Sequence, residues 1–89
     1  MVETVQISPH QVRVYKVAAE KGGWLSILEL ASAAKVVRRT AALHAGNFVE
    51  IGIFERKQVF PGHRFRLVER PNKRAQAFIK RLEEAETVF

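Results

Sequence analysis

Between Ser26 and Arg66 the chain is punctuated so closely that few folds can accommodate it. Ser26 with Glu29 three residues on forms a capping box, in which each side chain satisfies a backbone N–H of the other residue and so starts a helix. Ile27, Leu30, Ala31 and Ala34 give that helix one buried face, and Ala33-Ala34-Lys35-Val36 reads as a turn. The spacing of Val37, Ala41, Ala45 and Phe48 predicts a further helix over about residues 37–51, ended by Gly52 where a left-handed residue is needed. Gly46-Asn47 offers another segmentation, with a strand starting at Phe48, but it leaves the apolar row at 37, 41, 45 and 48 unused. Phe60-Pro61-Gly62-His63 then reads as a hairpin turn with Pro preset for its second position and Gly for its third. In the strand after it, Phe65 and Leu67 face one side and Arg64 and Arg66 the other. The strand before it, from Ile53 to Phe60, alternates poorly, which predicts a half-solvated tip.

The flanks add two helices. Ser8-Pro9 is a start signal, Ser as cap and Pro at the first helical position, for a helix running to about Lys21 and stopped by Gly22-Gly23. Its apolar residues, Val12, Val14, Tyr15, Val17, Ala18 and Ala19, exceed one stripe and predict cover on two sides. Trp24-Leu25 reads as a short strand. After Pro71 a last helix, within 71–89, carries Ala75, Phe78, Ile79, Leu82, Ala85 and Phe89 at three- and four-residue steps. Its stripe, above all Phe78, Ile79 and Leu82, needs a partner: either a second copy of the chain, giving a two-fold dimer, or the first helix of the same chain. The fold class is α+β, mainly α, in one domain over 1–89 with a core at 8–69 and an additional C-terminal helix.

Charge is concentrated on the central unit. Residues 35–66 hold seven Lys/Arg against two Glu, whereas 1–34 are balanced at three each, and the whole chain carries a net charge of +6. A surplus on one supersecondary unit argues for an anionic partner there. The 89 residues include no Cys, which excludes disulfides and thiolate metal sites, and no Asp. His10, His44 and His63 lie at no metal-ligand spacing, so no metal or other cofactor is expected. Gly22-Gly23 and Gly46 do not form a phosphate loop, and Ser8, Ser26 and Ser32 lack a paired His and carboxylate, so no enzyme is predicted. Glu83-Glu84-Glu86 reads as the solvated face of the last helix. The apolar runs are too short for a membrane span and Met1-Val2-Glu3-Thr4 has no signal-peptide pattern, which points to the cytoplasm or nucleoid.

At Leu30-Ala31, Thr40-Ala41 and Phe48-Val49-Glu50-Ile51-Gly52-Ile53 the chain resembles winged helix-turn-helix transcriptional regulators of the MarR-like and ArsR-like kind, over roughly residues 10–68. Ala34 stands where such proteins usually have a turn Gly and Val37 where a Ser often caps the recognition helix. The resemblance implies a three-helix core with a β-hairpin wing at 53–68, bound to double-stranded DNA. With Ala41, Ala45 and Phe48 inward, the opposite side of the recognition helix shows Arg38, Arg39, Ala42, Leu43 and Gly46. Two Arg there suit bidentate contacts to guanine in the major groove, each worth about 1–3 kcal/mol of discrimination. Lys35, Thr40 and Asn47 are expected on phosphates, and Lys57, His63, Arg64 and Arg66 of the wing on backbone or minor groove. The expected protein is a homodimeric repressor with no small-molecule ligand. Two rival readings are a winged helix that binds protein, with Leu43 against the partner, and a non-specific architectural binder of nucleic acid.

Overall fold

Helices begin where side chains can take up free backbone N–H groups. A computed structural model describes residues 7–85, ordered α1 (Pro9–Lys21), β1 (Leu25–Ser26), α2 (Ile27–Ala34), α3 (Arg38–Ile51), β2 (Phe54–Val59), β3 (Gly62–Leu67) and α4 (Lys73–Glu84). Ser8 caps α1 and Ser26 caps α2, each in a capping box, the first closed by Gln11 and the second by Glu29. Asn72 caps α4 by accepting from the Ala75 N–H at 2.8 Å. Val37 opens α3 without a side-chain cap, as its apolar side chain requires. The α3 helix runs unbroken through Gly46-Asn47 to Ile51 and ends on Gly52 at φ 99°, so the segmentation with a strand from Phe48 is ruled out.

The turn between α2 and α3 falls within the stretch expected for it, Ala33 to Val36. Its left-handed position is Lys35, at φ 58°, and the Lys35 N–H closes α2 onto the carbonyls of Ala31 and Ser32. A non-glycine residue there costs about 1 kcal/mol of backbone strain. The hairpin turn is shifted by one residue from Phe60-Pro61-Gly62-His63. Val59 pairs with Gly62, leaving Phe60 and Pro61 as a two-residue tip with a cis peptide bond between them, so Pro61 sits at the third turn position and Gly62 begins a strand.

The sheet is antiparallel in the order β1-β3-β2, with Leu25 opposite Phe65 and Arg56 opposite Phe65 on the other side. Phe48, Phe54, Leu30, Ile53, Leu82, Val12 and Val14 are the largest fully buried side chains. Phe48 of α3 sits at the centre, its ring edge-on to Phe54 at 5.0 Å and to Phe78 at 6.3 Å. Only Phe54 of β2 reaches this core, so the rest of that strand stands clear of the body.

The α4 helix folds back along α1 of the same chain. Ala75 and Leu82 are fully buried, Phe78 and Ile79 half-buried, and the Tyr15 hydroxyl donates to Glu83 at 3.1 Å. Burial, followed by the neighbouring Glu83, pushes the Tyr15 hydroxyl up to about 12. This is the two-sided cover predicted for α1, supplied by α2 and α3 on one side and α4 on the other. Leu82 is therefore corrected from a dimer contact to a core residue, because no surface of it is left for a second copy. Glu86 and Phe89 lie outside the described residues.

Candidate nucleic-acid interface

The outer side of α3 and the inner side of the hairpin enclose an open groove of about 840 Å³. The capping box of α2 holds Ser26, Ile27 and Leu28 at its edge, the α3 row Arg38, Arg39, Ala42 and Gly46 forms one wall, and Arg56, Val59, His63 and Arg64 form the other. Four arginines and a histidine line this space without a carboxylate. Arg38, Arg39, Ala42 and Leu43 are all exposed, as the inward positions of Ala41, Ala45 and Phe48 demand. Gly46 has open space where a Cβ would stand, which keeps this wall low. Convergent guanidinium groups over a shallow floor of Ala and Gly give a positive surface that a polyanion can approach closely.

Two wing arginines are placed differently from the sequence expectation. Arg66 donates to Glu55 at 2.7 Å and lies 4.4 Å above the Trp24 ring, whose other cation is Lys57, also at 4.4 Å. Arg64 approaches Glu29 at 3.5 Å across from the start of α2. Both arginines face away from Phe65 as alternation predicts, but that side is covered by Trp24, Glu55 and Glu29. Their charge is partly neutralised and their positions hold the wing to the body, with Arg64 still reaching the edge of the groove. The cation missed in the sequence is Arg56, exposed and on the Phe65 side of the hairpin, where it lines the groove opposite α3. The poor alternation of β2 hid it, since one strand without a clear inward set does not say which side faces the helices.

Lys35 is exposed at the turn before α3. Thr40 and Asn47 are half-buried and share a flank with His44, about 150° around the helix from the groove-facing residues. The His44 Nδ1 is buried with no hydrogen-bond partner among the described residues. Burial, and after it the charge of His10, hold the His44 pKa below its ordinary value. Ser26 hydrogen bonds hold the Glu29 carboxyl below the usual range, Arg64 and Lys21 adding to it. At the tip, His63 is exposed and Phe60 is 94% exposed. Among the described residues no three His or Glu side chains gather as metal ligands, and no helix is long and apolar enough to cross a membrane.

No protein-family model matches the chain, and no curated protein matches it. Solved structures do. A MarR family protein from Bacillus stearothermophilus superposes with a TM-score of 0.61 at 19% identity, over 96% of this chain and 64% of that one. The chain thus spans under two thirds of that protein's length. AF1382 from Archaeoglobus fulgidus gives a TM-score of 0.60 at 18% identity, over 89% of each chain. At this identity the likeness speaks for the fold alone, and the fold is a winged helix-turn-helix with a C-terminal helix, shared with a MarR family protein.

Proposed function

We propose that this chain is a sequence-specific double-stranded DNA-binding protein, non-catalytic and without a cofactor, that represses transcription in the cytoplasm by occupying its site on the nucleoid. The α3 helix enters the major groove, about 12 Å wide and able to admit a helix, with Arg38 and Arg39 on guanine edges and Leu43 against a thymine methyl. Lys35, Thr40 and Asn47 take phosphates at the edges of α3. The wing lies over backbone and minor groove through Lys57 and His63, with Arg56 added to the set and Arg64 and Arg66 acting chiefly as braces. Two copies bind a roughly palindromic site, and the apolar side chains α4 retains for that contact are the half-buried Phe78 and Ile79.

What carries the reading is the carboxylate-free groove bounded by Arg38, Arg39, Arg56 and Arg64 between a helix and a hairpin. Selection of bound duplexes from a random library, followed by footprinting at two salt concentrations, tests it. A consensus with guanines whose preference weakens in Arg38→Ala is the expected result, and a flat preference across random duplexes would instead mark a non-specific architectural binder. Exposed Leu28 and Leu43, at 61% and 59%, favour one further reading, a protein-docking winged helix. That reading requires no duplex affinity at physiological salt.

A further inference from the structure

The large exposed hydrophobic residues among those described are Leu28, Val37, Leu43, Val59 and Phe60, and none belongs to α1 or α4. Leu28 and Val59 line the groove, Val37 caps α3 and Leu43 belongs to it, and Phe60 is the wing tip, 94% exposed. Scattered single hydrophobics mean little, but Leu28 and Val59 line the same groove as Arg38, Arg39 and Arg56, and Phe60 follows Val59 at the end of the hairpin that forms one of its walls. A partner suited to both has negative charge at its rim and flat apolar faces within, which describes stacked base pairs between phosphate chains.

We propose that Phe60 is a wedge that enters a base step of the minor groove and bends the duplex, an inference that rests on the DNA-binding reading above. A phenyl ring donates and accepts no strong hydrogen bond, so it cannot read the donors and acceptors of the minor groove; what it offers is a stacking face. Apolar wedges of this kind partially unstack a step and kink the helix toward the major groove. The hairpin is built to deliver one. Its tip is only Phe60 and Pro61, because Val59 already pairs with Gly62, so a single ring stands at its end. Its base is fixed by Phe54 in the core, by the 2.7 Å Arg66–Glu55 bond and by Trp24 between Lys57 and Arg66. A stiff arm with an unpartnered ring at its end can transmit force to a base step, whereas a loose loop would fold the ring back. The cost of the kink is lowest at TA and CA/TG steps, so Phe60 adds specificity at a position that no hydrogen bond reads. With α3 in the major groove, the facing minor groove lies half a helical repeat away, about 5 bp from the guanines under Arg38 and Arg39.

The test uses the full chain and a 30-bp duplex that the wild-type protein selects from a random library, labelled at its ends for energy transfer. Wild type, Phe60→Ala and Phe60→Leu are compared for affinity, duplex bending and melting temperature. Expected are a bent duplex with the wild type, an enriched pyrimidine–purine step about 5 bp from the guanines, and unchanged melting of all three proteins. Phe60→Ala is expected to bind about 10-fold more weakly, about 1.4 kcal/mol, and leave the duplex nearly straight, while Phe60→Leu keeps most of the bend. A wild-type complex that is straight, or a Phe60→Ala complex as bent as the wild type, overturns the wedge and leaves the DNA-binding reading standing. Failure of the wild type to select any duplex overturns both.

Discussion

The salt dependence of DNA binding follows from which cations are engaged within the chain. Arg64 and Arg66 are held by Glu29 and Glu55, so they bring little free charge to a phosphate. Lys35, Arg38, Arg39, Arg56 and Lys57 are exposed outside those pairs, with Lys57 stacked on Trp24. If Arg38 and Arg39 lie on base edges, three cations remain for phosphates, and counterion release gives a slope of log K against log salt of about −2.7 per chain. Between about 50 and 200 mM salt this is a loss of roughly 40-fold for one chain, and on the order of 10³-fold for a pair of chains with a slope near −5.4. Fluorescence anisotropy on a selected duplex and on a random one, across a salt series, measures both. Lys57→Ala is expected to reduce the slope by about 0.9 and to weaken both duplexes alike. Arg38→Ala is expected to keep the slope and lose roughly 5- to 150-fold on the selected duplex alone, the range of about 1–3 kcal/mol. An Arg38→Ala protein that loses equally on both duplexes, with its slope reduced, refutes the base-reading assignment; a flat salt response refutes the whole electrostatic account.

Three further outcomes test the fold that holds this surface. Leu82→Ala removes a fully buried side chain between α4 and α1 and is expected to cost about 2–5 kcal/mol, with a fall in Tm that does not change with protein concentration. A concentration-dependent fall would place Leu82 between copies after all. At Lys35, glycine relieves the left-handed strain of about 1 kcal/mol but loosens the unfolded chain by nearly as much, so Lys35→Gly should melt close to the wild type while β-branched Lys35→Val melts lower. Equal melting of the two variants would contradict the φ assigned to that residue. His44 has its pKa lowered in the fold, so the unfolded chain takes up its proton first; stability is complete above about pH 6.5 and declines as pH falls below that value. Urea unfolding at pH 8 and pH 5 should show a decline that is smaller in His44→Gln, and an identical decline in both proteins would clear His44 of the effect.

Much of this architecture was legible because it rests on local chemistry. Ser26 with Glu29, Ser8 with Pro9 and Gly52 each mark a helix end through their own backbone needs, and the row Ala41, Ala45 and Phe48 names the buried side of α3 without knowing what covers it. The outer side, with Arg38 and Arg39, follows by geometry from the inner one. What covers an apolar stripe is a tertiary matter. Leu82 looks the same in sequence whether it meets α1 or a second copy, and only the return of α4 along α1 decides it. The hairpin turn lies one position from where residue type puts it for a related reason. Pro61-Gly62 suits the middle of a turn, while register puts Gly62 in a strand.

The wing shows most clearly where pattern stops short. Alternation in β3 separates Phe65 from Arg64 and Arg66 but assigns neither side to solvent, because a sheet has two sides and either can be covered. Here β1 decides the matter. By pairing Leu25 with Phe65 and Ser26 with Arg64, it brings Trp24 beside Arg66 and the start of α2, with Glu29, beside Arg64. Arg64 thereby pairs with Glu29 of α2 and Arg66 stacks on Trp24, contacts that tie the wing to the body. The side left to face α3 is the one that alternates poorly, with Arg56 in the groove and Phe60 beyond it. A strand whose residues show no clean inward set is thus what a hairpin needs where its partner lies outside the chain.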